Sequence, residues 1–210
     1  MRRIATVALP AALVSVLAVA FWFRVSSLES MPYPDGDESW YLIQLNNALH
    51  GKPFHAFTMN GNPLNPFFVL LHVPLLVTTD PAFWHLRLIP LTCGIAAVAA
   101  AYLLGRRVLD RPSALIAAAG LAVLPVGIIY SRIAFDACQT PLISVVMLYF
   151  AFRGNGIGLL LSFLAAYVIH PTNLFLVPVT LPVLLVRQFG RNAGDRRRQV
   201  ITAAVTVSVA

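Results

Sequence analysis

The chain has 210 residues, of which 59% are hydrophobic and only 11% are charged. Soluble domains carry about 25% charged residues, so this composition excludes a surface that faces water on all sides. The net charge of +7 does not indicate nucleic-acid binding, because the arginines stand in short clusters between apolar runs, as topology signals do. Since one membrane span needs about 20 apolar residues, we predict an all-α, polytopic membrane protein with about seven spans.

The first apolar run, residues 4–23, follows two arginines at the N-terminus. Ala18-Val19-Ala20 resembles a signal-peptide cleavage site, but the apolar run continues beyond it through Phe21-Trp22-Phe23. We therefore predict a retained first span. Basic residues mark the cytoplasmic side of a membrane, so the N-terminus is predicted to be cytoplasmic.

Residues 27–80 are predicted to form an outer loop that contains juxtamembrane helices. One helix is predicted from Asp35 to about His50, with Asp35 as its N-cap and Glu38 completing an acidic capping box. Capping does not require Asp37. A helix N-terminus favours an ionised carboxylate, and an ionised Asp37 suits a general base.

Segment 64–79 is short for a span and contains Pro66 and Pro74. We predict that it is embedded in the membrane without crossing it. This arrangement places all but four of the 15 basic residues on the cytoplasmic side, as the distribution of basic residues in membrane proteins favours. The four outer exceptions are Arg24, Lys52, Arg87 and Arg132.

The remaining apolar segments are 86–105, 112–130, 137–152, 155–186 and 199 onward. Segment 155–186 is too long for one span and is predicted to form two short helices that turn at His170-Pro171-Thr172-Asn173. The chain is still apolar at its last residue, so we expect the N-terminal piece of a longer protein. Most of the acidic residues and all five histidines then fall on the outer side, and polar groups at a membrane edge often mark function.

The outer end of segment 112–130 carries Tyr130-Ser131-Arg132 and, shortly after, Asp136. Arg132 and Asp136 are candidates for a site, or they pair with each other as exposed charges often do. The outer cations Lys52, Arg87 and Arg132 are candidates for binding a phosphate. Arg87 alternatively acts as an interfacial anchor. The spacing of the histidines matches no metal-binding signature.

The order of these motifs resembles the N-terminal half of the GT-C membrane glycosyltransferases, over roughly residues 5–190. Within that family the pattern is closest to protein O-mannosyltransferases and aminoarabinose transferases. Four motifs carry the resemblance: Asp37-Glu38-Ser39-Trp40-Tyr41, Asn62-Pro63-Leu64-Asn65-Pro66, Arg87-Leu88-Ile89-Pro90 with Tyr102-Leu103-Leu104-Gly105-Arg106-Arg107, and Tyr130-Ser131-Arg132 with Asp136. Residues 1–210 would then be the N-terminal part of a GT-C-type transmembrane domain.

The resemblance implies transfer of a sugar from a polyprenyl-phosphate donor to a lipid, glycan or protein acceptor on the outer face of the cell membrane, with inversion. It implies Asp37 as the general base, with Glu38 and Asp136 as further catalytic acids. Donor phosphate would be held by Arg132, Lys52 and His170, the last of which stands where many relatives carry lysine. Tyr41 and Arg87 would contact substrate. Whether a divalent metal ion takes part is left open.

Two other functions are compatible with a polytopic membrane protein. A transporter or flippase of lipid-linked sugars would carry charged residues at the middle of the membrane, and the apolar segments contain almost none. A non-catalytic membrane scaffold would tolerate replacement of Asp37 and Asp136.

Overall fold

The computed structural model describes residues 2–58, 61, 63–78 and 82–189, with side chains from residue 9 onward. Within these ranges the chain is helical and contains no strand, apart from an isolated bridge between Phe57 and Pro63. The predicted all-α class is therefore confirmed. The helices are α1 (Arg2–Val25), α2 (Gly36–Leu49), α3 (Pro66–Thr78), α4 (Phe83–Val108), α5 (Arg111–Val123), α6 (Pro125–Tyr130), α7 (Thr140–Arg153), α8 (Gly156–Ile169) and α9 (Val177–Phe189), with 3₁₀ turns at Asp136–Gln139 and Pro171–Leu176.

The helix predicted after Asp35 is α2. The Asp35 carboxylate accepts a 2.9 Å hydrogen bond from the backbone N–H of Glu38, which confirms the predicted N-cap. The predicted capping box is not formed, because the Glu38 carboxylate turns away from Asp35 to a buried partner on α4. Tyr41 and Leu45 lie on the buried face of α2, as their helical spacing predicts.

Helix α4 is central and packs against α1, α3, α5 and α7. Its close contact with α5 depends on Gly105, since a Cβ atom there would lie 2.9 Å from the Cβ and 3.0 Å from the Cα of Ala114. Asp110 caps α5 by accepting the N–H of Ser113 at 2.8 Å, and Pro112 occupies the first turn of that helix. Only residues 109 and 110 separate the two helices, so the turn between them is tight.

Replacing Gly105 with alanine is expected to lower the stability of the protein. The new methyl group meets the backbone of α5, and overpacking of this kind costs about 1–3 kcal/mol, which exceeds the helix-propensity gain of up to about 1 kcal/mol. Thermal unfolding in detergent measures the effect. Gly120→Ala in α5 is the matched control, because nothing lies within 4 Å of its added Cβ, and its melting temperature should be unchanged or higher. Equal melting temperatures for both variants would contradict the close packing of α4 on α5.

The apolar segment 112–130 predicts one helix, but the structure divides it into α5 and α6 at Leu124. Leu124 is extended, as expected of a residue before proline, and Pro125 has no N–H to donate to the carbonyl group of Leu121. The buried guanidinium of Arg24 donates to the carbonyl groups of Ala122 and Leu121 at 2.8 and 3.4 Å. Arg24 of α1 thus donates hydrogen bonds to carbonyl groups at the break between α5 and α6.

The predicted division of 155–186 into two helices is confirmed. Helix α8 ends at Ile169, and α9 begins at Val177 after His170 and a 3₁₀ turn. Helices α7, α8 and α9 share a core that includes Met147, Ala166 and Val183. This turn brings His170 next to the 3₁₀ turn that begins at Asp136.

Two helical stretches of the described residues are long and apolar enough to cross a membrane by length and composition: Phe83–Val108 and Pro171–Phe189. The shorter apolar helices are Leu9–Val25, Pro66–Thr78, Arg111–Val123 and Gly156–Ile169. Helix lengths alone therefore do not establish the predicted arrangement of about seven spans. The segment predicted from residue 199 onward lies outside the described residues.

Candidate functional site

A cavity of about 350 Å³ lies where the N-terminus of α2 meets the two 3₁₀ turns. It brings together four of the predicted site residues, Asp37, Tyr41, Asp136 and His170, from three distant parts of the chain. The complete lining is Asp37, Trp40, Tyr41, Thr58, Tyr130, Phe135, Asp136, Ala137, His170 and Thr172. We call this cavity the acidic pocket.

Helix α2 supplies Asp37 and Tyr41 to one wall of the acidic pocket. Side chains four residues apart share one face of a helix, so both point to the cavity. The Tyr41 ring is buried and contacts the rings of Trp40 and Phe68, with centroids at 5.1 and 4.7 Å. Asp37 is exposed at the mouth. The packing of Tyr41 fixes the rotation of α2 about its axis, and with it the side of the helix on which the Asp37 carboxylate lies.

Asp136 begins the 3₁₀ turn on the opposite wall. Its carboxylate accepts the N–H of Ala137 at 2.8 Å, and its backbone carbonyl accepts from the Asn65 side-chain amide at 3.1 Å. The Asn65 side-chain oxygen accepts two N–H groups in the first turn of α3, at 3.0 and 3.2 Å. Buried Asn65 therefore joins the cap of α3 to the turn that carries Asp136. Sequence reasoning missed this positioning role, although asparagine directly before Pro66 is an N-cap signal.

His170 faces Asp136 across the acidic pocket, with 3.9 Å between its Nε2 atom and the nearer carboxylate oxygen. The backbone N–H of Thr172 donates to Nδ1 at 3.2 Å, and the Thr172 hydroxyl lies 2.6 Å from the same atom. Since a backbone N–H can only donate, Nδ1 is the unprotonated nitrogen of the neutral ring. The Nε2–H group is then directed to the side of Asp136, at a distance too long for a direct hydrogen bond.

The electrostatics of the acidic pocket favour proton acceptance at Asp37. Partial burial raises the pKa of the Asp37 carboxyl group, and the negative charges of Asp35 and Asp136 raise it further. Burial, followed by the nearby Asp136 carboxylate, also raises the pKa of Tyr41, so its hydroxyl stays protonated. That buried hydroxyl makes no well-formed hydrogen bond to the described residues. It lies beside the Asp136 carboxylate, so an oxygen atom of a ligand would compete with Asp136 for this donor.

Glu38 and Arg87 do not line the acidic pocket. Their side chains are fully buried and form a two-pronged ion pair, with distances of 2.9 Å from Arg87 Nε and 2.6 Å from Arg87 Nη2 to the two carboxylate oxygens. Glu38 also accepts the N–H of Ala134 at 2.8 Å, and Arg87 donates to the carbonyl of Leu28 at 2.7 Å. Both side chains find their partners inside the protein, and the catalytic role of Glu38 and the substrate contact of Arg87 stay predictions.

Arg132, which is predicted to bind phosphate, contacts the backbone in the structure. Its guanidinium donates four hydrogen bonds, at 2.6–3.1 Å, to the backbone carbonyl groups of Phe23, Ser26 and Met31. These contacts hold the end of α1 and the segment after it, and leave little capacity for a phosphate. The ion pair considered between Arg132 and Asp136 is not formed.

Lys52 is exposed and does not line the acidic pocket. Of the three residues predicted to hold the donor phosphate, the structure places only His170 at the cavity. Residues that sequence reasoning missed include Thr58, Tyr130 and Thr172, which add hydroxyl groups to the lining. No group of three or more histidine, cysteine or acidic side chains in the described part of the chain is arranged to hold a metal ion. We therefore assign no residue to a metal.

No family model, curated protein or solved structure matches the chain. Two carboxylates, a tyrosine hydroxyl and an imidazole around one cavity can accept a proton from a hydroxyl group and donate hydrogen bonds to oxygen atoms.

Proposed function

We propose that this chain carries the outer active site of a membrane glycosyltransferase of the GT-C type. The enzyme would move a sugar from a polyprenyl-phosphate donor to a hydroxyl group of a lipid, glycan or protein acceptor. The observation that supports this most is the convergence of Asp37, Tyr41, Asp136 and His170 on one cavity of about 350 Å³. Cavities with a few convergent polar groups, one with a perturbed pKa, are the usual form of active sites.

The membrane arrangement is part of the proposal. Among the described residues, the spans are α1, α4, α5 with α6, α7, α8 and α9, while α3 is embedded without crossing. Apolar side chains stand exposed on most of these helices, for example Ile116 at 72% and Leu161 at 61%. Soluble monomers rarely expose large contiguous apolar surfaces. Contact with lipid accounts for these faces, and the basic clusters orient the N-terminus to the cytoplasm and the acidic pocket outward.

In the proposed reaction, Asp37 accepts the proton of the acceptor hydroxyl as its oxygen attacks the anomeric carbon of the donor sugar. The bond between that carbon and the phosphate oxygen breaks, and polyprenyl phosphate leaves with the electron pair. Attack on the face opposite the leaving group inverts the anomeric centre. The raised pKa of Asp37 makes it a stronger base than an ordinary aspartate.

The other pocket residues have supporting roles in this proposal. Asp136 increases the basicity of Asp37 through its negative charge. The Tyr41 hydroxyl, which lies beside the Asp136 carboxylate, donates to a sugar or phosphate oxygen when the donor binds. The Nε2–H of His170 adds a second donor from the opposite side. Hydrogen-bond donors placed where negative charge develops lower the barrier of group transfer.

The test uses the full-length gene product in liposomes with a panel of polyprenyl-phosphate sugars and isolated cell-envelope acceptors. We expect labelled sugar on an acceptor together with an equal amount of released polyprenyl phosphate. Recovery of intact donor in the opposite leaflet would instead establish a flippase. If neither transfer nor movement occurs with any donor, the scaffold function replaces the proposal.

A further inference from the structure

A second polar cavity, of about 530 Å³, lies at the other end of the helix bundle. Its lining includes four arginines, Arg106, Arg107, Arg153 and Arg187, and we call it the arginine pocket. These arginines come from the last turns of α4, α7 and α9. The arginine pocket and the acidic pocket have no lining residue in common, so they are separate cavities.

The simplest explanation of these arginines is topological. Basic residues accumulate on the cytoplasmic side of membrane proteins, and they also stabilise the negative ends of helix dipoles. Neither effect requires that arginines from three helices surround one cavity, where like charges repel each other. Among the residues that the structure describes, no carboxylate lines the arginine pocket. A bound anion would remove this repulsion.

Aromatic side chains hold two of the guanidinium groups in place. Arg107 lies 4.8 Å above the Tyr149 ring and donates to the Tyr149 hydroxyl at 2.9 Å. Arg187 lies 5.8 Å above the Phe152 ring. Stacking occupies the face of a guanidinium and leaves N–H groups at its edge available for hydrogen bonds. The groups are therefore oriented before a ligand arrives.

Arg187 also carries an unused donor. Its Nε atom is buried and has no hydrogen-bond partner among the described residues. A buried, unsatisfied N–H group of a charged side chain is costly unless a ligand or water pairs with it. The planar guanidinium matches two oxygen atoms of a phosphate group. This geometry favours phosphate over a spherical anion such as chloride.

We propose that the arginine pocket binds a phosphate group, carried either by an anionic lipid headgroup or by a soluble phosphate. The proposal does not depend on glycosyl transfer, since the arginine pocket is separate from the acidic pocket. The four arginines would then bind a ligand in addition to orienting the helices in the membrane. A phosphate held between α4, α7 and α9 would fix the ends of these helices relative to one another.

The test compares full-length wild type with the double variant Arg107→Gln/Arg187→Gln. Phosphatidylglycerol added to the detergent-solubilised protein and quantified by native mass spectrometry probes the lipid source. Inorganic phosphate, followed by thermal shift, probes the soluble source. The control is Arg111→Gln, which removes a positive charge from an exposed residue outside the arginine pocket. Binding should weaken at least about tenfold in the double variant and less than about twofold in the control.

Arginine-dependent binding of phosphatidylglycerol supports the lipid source, and arginine-dependent binding of inorganic phosphate supports the soluble source. Equal losses in the double variant and the control, or no binding of either probe to wild type, would overturn the proposal. If the glutamine variant does not fold, Arg107→Lys/Arg187→Lys takes its place, because lysine keeps the charge but loses the two-pronged geometry. Wild-type affinity in a folded lysine variant would contradict recognition by the guanidinium groups.

Discussion

Replacing Asp37 with asparagine is expected to reduce sugar transfer by about 10²–10⁴-fold, because a positioned general base contributes about that much to a rate. Asparagine has the size of aspartate but does not accept the proton. Asp37 is exposed and α2 is capped by Asp35, so folding should be unaffected. Transfer rates of wild-type and variant full-length proteins, at equal amounts of folded protein, measure the effect. A folded variant with the wild-type rate would show that Asp37 is not the general base and only stabilises the N-terminus of α2.

Asp35→Asn is the matched control, because it makes the same change two residues away. Asparagine is also a good N-cap, so α2 should remain intact and transfer should persist. The base must be ionised, so activity falls as pH decreases through the pKa of Asp37. Asp35 raises that pKa, and its neutralisation should move the acidic limb of the pH–rate profile to lower pH. If Asp35→Asn loses as much activity as Asp37→Asn, sugar transfer requires an intact N-terminus of α2 rather than the Asp37 carboxylate alone.

The parts of the site that the sequence predicted are those fixed by local signals. The capping preference of aspartate located the start of α2 and separated Asp37 from the residues needed for capping. The alternation of apolar and basic segments placed Asp136 and His170 on the same side as Asp37, and the structure brings these residues to one cavity. Local propensity and charge distribution were sufficient for these conclusions.

The roles of the arginines could not be predicted in the same way. Arg132 and Arg87 are cations near helix ends, and residue type does not distinguish a phosphate ligand from a group that binds carbonyls or pairs with a buried acid. Their partners are distant in the chain: Arg132 binds Phe23, and Arg87 binds Glu38. The break at Leu124 has a local signal, because a residue before proline is usually extended. The continuous apolar pattern of segment 112–130 instead favours a single helix.

The second large effect is expected at the buried ion pair between Glu38 and Arg87. Glu38→Gln leaves the Arg87 charge buried without a counter-charge, and breaking such a pair costs about 3–5 kcal/mol. The expected result is a large decrease in the melting temperature of the detergent-solubilised protein. Glu29→Gln is the control, because Glu29 is exposed and its replacement should change the free energy of unfolding by less than about 0.5 kcal/mol.

Removing both charges separates a structural role of Glu38 from a catalytic one. Apolar residues of similar volume often replace a buried ion pair at little cost, so Glu38→Met/Arg87→Met should recover much of the stability that Glu38→Gln loses. If the ion pair is structural, the recovered protein also regains sugar transfer, because Asp37 still faces the acidic pocket. A stable double variant without activity, or a Glu38→Gln protein that is stable and inactive, would return Glu38 to the catalytic site. The ion pair would then orient a reacting carboxylate, and Arg87 would be its positioning residue.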